Sequence, residues 1–142
     1  GLPSDILILE VTENILIHNP QRAAKVLFEL GNSGVKAAID DFGTGYSSLA
    51  YLKQLPLAML KIDRTFIRDI DSDPNDAAIV EATISMAHKL GLNVIAEGVE
   101  IPTQFDFLKG LSCDAVQGFM FARPLSEPDL MEYLQTPLTV TV

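Results

Sequence analysis

The sequence has little sulfur and little imidazole. One cysteine, Cys113, excludes an internal disulfide, and with two histidines and no Cys/His cluster a structural zinc site has no ligands to draw on. There is no tryptophan, and no apolar run approaches the roughly 20 residues that a membrane span requires. Basic residues are scarce, 10 Lys and Arg against 19 Asp and Glu, for a net charge of -9. Binding to long nucleic acid is disfavoured, because affinity for phosphate backbones rests on neutralisation by Lys and Arg. An anionic ligand would need help from cations. No basic, apolar signal segment opens the chain, which begins "GLPSDILILE", and a reducing interior such as the cytosol fits.

What is present reads as one globular domain or a piece of one, with 48% hydrophobic and 20% charged residues over 142 positions. Five segments read as buried strands: 5–11 "DILILEV", 35–40 "VKAAID", 58–63 "AMLKID", 93–99 "NVIAEGV" and 114–121 "DAVQGFMF". They are mostly continuous apolar runs, which is how parallel strands covered on both faces look. Helical patterns lie between them. "NPQRAAKVLFELGNSG" offers Asn19 as N-cap, Pro20 at the first helical position, an apolar face of Ala23, Val26, Leu27 and Leu30, and Gly31 as stop. "DPNDAAIVEATISMAHKLG" repeats that grammar with Asp73, Pro74, then Val80, Ile84, Ala87 and Gly91. "IPTQFDFLKGLSC", "SEPDLMEYL" and the shorter "GYSSLAYLKQLP" complete the set, and residues 136–142 read as a tail after a domain of residues 1–135.

Strand alternating with helix leads either to a doubly wound open sheet or to a (β/α)8 barrel. Five βα units do not close an eight-stranded barrel, which takes about 250 residues. Either the sheet is open or the barrel is partial.

Charged or polar side chains interrupt every strand at the same end: Glu10 and Glu13, Asp40 and Asp41, Lys61 and Asp63, Glu97 and Glu100, and Gln117. In parallel α/β folds the C-terminal strand ends face one crevice, where active sites sit. Single members have plainer readings. Asp63 before "RTFI" fits a helix cap, and Lys61, flanked by apolar neighbours, needs a carboxylate partner for structural reasons alone. Adjacent residues on a strand point to opposite faces, so Asp40 and Asp41 share a site only where the strand ends and turns, which Gly43 and Gly45 would allow. Converging carboxylates repel one another unless a cation holds them, and an oxygen-rich set of Glu10, Asp40, Asp41, Glu97 and Glu100 suits Mg²⁺ or Mn²⁺. Two ions bridged by an Asp would suit in-line attack of water on a phosphodiester, with Lys61 steadying the water or the developing charge. An enolate-forming Mg²⁺ enzyme fits the same residues. His18 and His88 read as surface or structural residues, and "GTGYSS" lacks the GxxxxGK[ST] of a nucleotide P-loop. Tyr46 reads equally as a ligand cover or as a surface residue at a helix start.

"LEVTE" (9–13), "DDFGTGYSSL" (40–49), "LKID" (60–63), "IAEGVE" (95–100) and "QGFMFARPL" (117–125) together resemble the EAL domain, a bacterial cyclic di-GMP phosphodiesterase. The resemblance implies a partial TIM-like (β/α)8 barrel of about five C-terminal βα units, and hydrolysis of cyclic di-GMP to 5'-pGpG with two Mg²⁺ or Mn²⁺ ions. It makes Glu10, Asp40 and Asp41 metal ligands, with Asp40 the bridge. Lys61 lies near the nucleophilic water, Glu97 is general base or water-positioner, and Gln117 joins the water and metal network. Glu13 holds the loop after the paired aspartates, a loop that takes part in dimer coupling, and Glu100 lies near the substrate. The family's Glu-Ala-Leu signature, an Arg after it and an Asn on the next strand match nothing in this chain. The chain alone is therefore expected to be inactive, and to self-associate through the open edge of its first strand or as an EAL-type dimer. The resemblance also implies a cytoplasmic setting, with an upstream signalling domain or membrane anchor in a longer protein. An EAL-like module that binds cyclic di-GMP without cleaving it is the alternative.

Overall fold

The computed structural model describes residues 3–13, 15, 19–45 and 52–135, with the side chain of Asp5 excluded. Five parallel strands form one sheet: β1 (Ile8–Thr12), β2 (Lys36–Phe42), β3 (Met59–Ile62), β4 (Asn93–Glu97) and β5 (Ala115–Gln117). Each strand pairs with its neighbour in sequence, in the order β1-β2-β3-β4-β5. A doubly wound sheet reverses its strand order at a switch point, whereas sequential order throughout is the winding of a (β/α)8 barrel. The α-helices delimited among the described residues are α1 (Pro20–Asn32), the short α2 (Arg64–Ile67), α3 (Pro74–Lys89), α4 (Pro102–Gly110) and α5 (Glu127–Gln135).

The helix starts obey the local chemistry of their caps. Asn19 accepts from the Arg22 amide at 3.2 Å, and Asp73 accepts from the Asn75 amide at 2.8 Å ahead of Pro74. Strand β2 runs on to Phe42 and β4 stops at Glu97, and three further boundaries depart from the sequence reading. Strand β1 starts at Ile8 and not at residue 5, because Ser4–Ile6 form a 3-10 turn closed by the Leu7 amide on the Ser4 carbonyl. Helix α1 runs past Gly31 to Asn32, and the residue that takes the left-handed conformation after it is Gly34 (φ 86°). Strand β5 ends at Gln117, where the sequence suggested residue 121, because Gly118 packs directly on the backbone of Val99 and the chain turns there. Residues 46–51 of "GYSSLAYLKQLP", Tyr46 among them, His18 and the tail 136–142 lie outside the described residues.

Ile39, Leu60 and Val94 lie opposite one another on adjacent strands and are fully buried, packed with Val80, Ile84 and Ala87 of α3 and Leu108 of α4. That layer is the core. Val26, read from sequence as part of the α1 core face, is 46% exposed and instead lines a groove between α1 and β1.

Candidate functional site

Pleat and register decide which strand residues meet. Glu10 pairs with Ala38, Ala38 with Met59, Lys61 with Ile95 and Glu97 with Gln117, so Glu10, Asp40, Lys61, Glu97 and Gln117 fall on the face opposite the Ile39-Leu60-Val94 row. Strict alternation would send Asp41 to the other face. It escapes because the β2-β3 register slips between Ile39 and Phe42, and Asp41 itself takes a left-handed conformation (φ 55°) that a non-glycine residue adopts only when held there. The turn that sequence reasoning assigned to Gly43 and Gly45 thus begins two residues earlier, on the aspartate.

As a result, one carboxylate oxygen from each of Asp40, Asp41 and Glu97 can be chosen so that all three lie within 4.8 Å of one another. The ammonium of Lys61, buried to 5% exposure, stands 2.8 Å from Glu10 Oε1, 3.1 Å from Asp40 Oδ1 and 2.6 Å from Glu97 Oε1. Burial pulls its pKa down, but the hydrogen bonds it donates to Glu10 and Glu97, with the nearby Asp40 carboxylate, together outweigh burial and hold it above the ordinary lysine range. The Asp41 carboxyl is pushed up, first by burial and then by the charges of Asp40 and Asp63. Asp63 caps α2 by accepting from the amide and hydroxyl of Thr65. These bonds outweigh the opposing effect of burial and keep Asp63 below the usual carboxylate range. Asp63, read from sequence as a helix cap, is therefore a cap that also faces Asp41.

Glu13 follows β1 and is 2% exposed; its Oε2 accepts from the amides of Gly43 and Gly45, each at 3.2 Å. A Cβ on Gly45 would press against the same carboxylate at 3.0 Å. Glu100 stands outside the carboxylate group, on the wall of a cavity of about 360 Å³ that it shares with Arg64, Thr65, Arg68, Gly98 and Gln104. Gln117 is exposed at the end of β5. His88 lies beyond the opposite, N-terminal end of β4, where its Nε2 is 2.8 Å from Asp114.

The donor set fits hard divalent cations. It is all oxygen, and Asp40 Oδ1 is buried with no well-angled hydrogen bond among the described residues, its contact with Lys61 being a bare charge contact.

The sequence matches the family model described as EAL domain over residues 1–124. The chain belongs to the EAL domain family. Among its relatives, the cyclic di-GMP phosphodiesterase NbdA of Pseudomonas aeruginosa is 51% identical over 95% of this chain, which spans 17% of NbdA. The structure of the PaMucR phosphodiesterase in complex with c-di-GMP matches with a TM-score of 0.88 at 46% identity, covering 91% of this chain and 52% of that one. Klebsiella pneumoniae BlrP1, in a manganese and cyclic di-GMP complex, matches with a TM-score of 0.81 at 39% identity, over 87% of this chain and 32% of that one. The EAL chain described here thus spans about a sixth of NbdA and about half of the PaMucR chain. These EAL neighbours bear out the barrel-type winding. Their manganese complex agrees with divalent-metal use in the family. No helix among the described residues is long and apolar enough to cross a membrane.

Sequence reasoning singled out every member of the carboxylate group. It missed Gln104, one of three buried polar side chains among the described residues. The signal was there: Gln104 is the third residue of α4, where a capping Glu or Gln reaches back to the helix start.

Proposed function

We propose that the EAL domain to which this chain belongs hydrolyses cyclic di-GMP to 5'-pGpG with two Mg²⁺ or Mn²⁺ ions, and that the 142-residue chain alone does not turn over. The observation that carries this reading is the gathering of Asp40, Asp41 and Glu97 oxygens within 4.8 Å beside a buried lysine. Similarity to NbdA, PaMucR and BlrP1, whose names and complexes specify cyclic di-GMP, supports the choice of substrate.

In this reading Glu10, Asp40 and Asp41 would hold the ions, Asp40 being the candidate for a ligand common to both. Bound there, divalent cations supply Lewis-acid activation of the phosphate and of a water molecule. The chain's own residues do the rest. Lys61 keeps Glu10, Asp40 and Glu97 converged and presents its ammonium where negative charge develops on the phosphoryl oxygens. Glu97, last on its strand, would orient the attacking water and take its proton. Glu13 fixes the loop after Asp41, Gln117 orders water next to Glu97, and Glu100 borders the substrate.

The test incubates this chain and a version extended to a full EAL domain with cyclic di-GMP and Mn²⁺, and follows pGpG by chromatography. Product from the extended protein alone is the expected result. Binding by the extended protein without product would make it a cyclic di-GMP sensor module, and product from the 142 residues would show that nothing outside them is essential.

A further inference from the structure

Three buried polar side chains stand out among the described residues, Glu13, Lys61 and Gln104. Glu13 ties down the loop after β2, and Lys61 gathers the carboxylates of β1, β2 and β4. Gln104 has a matching place. Its Oε1 accepts from the amides of Glu100 at 2.8 Å and Ile101 at 3.2 Å, and its Nε2 donates to the Arg68 carbonyl at 3.1 Å.

Those partners belong to two strand ends. Glu97 is followed by Gly98 (φ 74°), then by Val99, whose amide donates to the Gln117 carbonyl at 3.1 Å and whose carbonyl accepts from Met120 at 3.0 Å. One side of the 98–101 segment is thus fixed to β5, and the other side is held by Gln104. Arg68 closes α2, the helix that Asp63 begins after Lys61. The amide of Gln104 therefore spans the connection leaving Glu97 and the connection leaving Lys61. We propose that Gln104 is a positioning residue that sets the reach of Glu97 toward the carboxylate group by pinning the Glu100 and Ile101 amides to the end of α2. Only the catalytic consequence of this inference rests on the phosphodiesterase reading.

The experiment uses the extended EAL protein with Gln104→Leu, Gln104→Glu and Leu108→Ala. Leu108 is a fully buried residue of the same helix whose truncation costs stability while leaving the Gln104 hydrogen bonds to the loop and to Arg68 in place. Mn²⁺ affinity is measured by calorimetry, pGpG formation by kinetics, and exchange of the Glu100 and Ile101 amides by mass spectrometry. Gln104→Glu retains the two acceptor bonds and loses the donor to Arg68, and it remains informative if the leucine variant does not fold. The expected order of Mn²⁺ affinity is parent, then the glutamate variant, then the leucine variant, with the last weakened roughly tenfold or more. Its kcat should fall more than its KM rises, and the two amides should exchange faster. Leu108→Ala should lower Tm and leave Mn²⁺ affinity near the parent value. Equal Mn²⁺ affinity and kcat in parent and Gln104 variants, or a loss in Leu108→Ala as large as in Gln104→Leu, would overturn the inference. A parent that cleaves no cyclic di-GMP overturns the functional reading instead, and amide exchange then decides the role of Gln104: unchanged exchange in both Gln104 variants would overturn it.

Discussion

Lys61 Nζ lies 2.6 Å from Glu97 Oε1, a contact that joins β3 to β4 inside a shell where the lysine is almost wholly removed from water. Two further carboxylates share that ammonium, so a single cation on the chain contacts carboxylates from three strands and offsets only part of their charge.

Replacing Lys61 by Met removes the cation and leaves the carboxylates facing one another. Breaking a buried ion pair from one side costs about 3–5 kcal/mol, so metal-free Lys61→Met should melt well below the parent. Metal that binds only the folded state restores stability by mass action. Added Mn²⁺ should therefore raise the Tm of the variant more than that of the parent, which differential scanning calorimetry would show. Equal Mn²⁺ shifts in both would mean that Lys61 and the metal do not compete for these carboxylates.

Asp40 is the proposed bridge, and Asp40→Asn removes a charge while keeping size and one oxygen. Turnover of cyclic di-GMP in the extended protein should drop by roughly 100-fold or more, beyond the 10–100-fold typical of groups that only support a ligand. Circular dichroism should change little. Unchanged turnover would remove Asp40 from the bridging role.

The strand ends, and therefore the site, were legible in the sequence because parallel strands advertise themselves as apolar runs and any charge at their ends is conspicuous. Asp40, Lys61 and Glu97 needed nothing more than that pattern. How Asp41 joins them was not legible. It depends on a register slip against β3 and a left-handed backbone at an aspartate, both set by packing between strands and not by local propensity. The short β5 was overread for a related reason: "GFMF" has strand composition, but Gly118 is pressed against the Val99 backbone, a contact 19 residues distant in sequence. Gln104 is not legible as a tie between two connections, because its three backbone partners come from two separate segments.

That Gly118 contact has a direct consequence. A Cβ at this position would overlap the main-chain nitrogen, carbon and oxygen of Val99, none of which can swing aside as a side-chain tip can. Gly118→Ala should cost about 3 kcal/mol, at the upper end of ordinary overpacking, and should displace the loop after Glu97. Urea unfolding would measure it. A loss below about 0.5 kcal/mol, the range of neutral surface changes, would show that the backbone there yields freely.

Asp114 supplies the pH dependence remote from the site. Burial raises its carboxyl, but the Val94 amide at 2.8 Å and His88 outweigh burial and hold it below the ordinary aspartate value. A carboxyl lowered on folding contributes stability that is present above its unfolded pKa of about 3.9 and lost as pH falls through the lower folded value. Asp114→Ala should destabilise by ~1 kcal/mol at pH 7, leaving the Val94 amide without that acceptor. The gap between variant and parent should narrow below about pH 4. Thermal melts from pH 3 to 7 check both statements, and a gap that widened toward acid would reverse the sign assigned here.

Strand β1 forms the edge of the sheet, and around it Ile6, Leu7, Ile8 and Ile15 are at least 40% exposed. Its outer edge carries amides and carbonyls that no other described strand pairs, beside an apolar groove of about 400 Å³ lined by Leu9, Val11, Val26 and Leu30. An unpaired edge next to exposed aliphatic surface recruits another strand. The isolated 142-residue chain should therefore elute as a concentration-dependent oligomer in light scattering, and Leu7→Lys, which puts a charge at that edge, should shift it toward monomer. A monodisperse monomer at high concentration, unfolding cooperatively, would show that the edge is protected by other means.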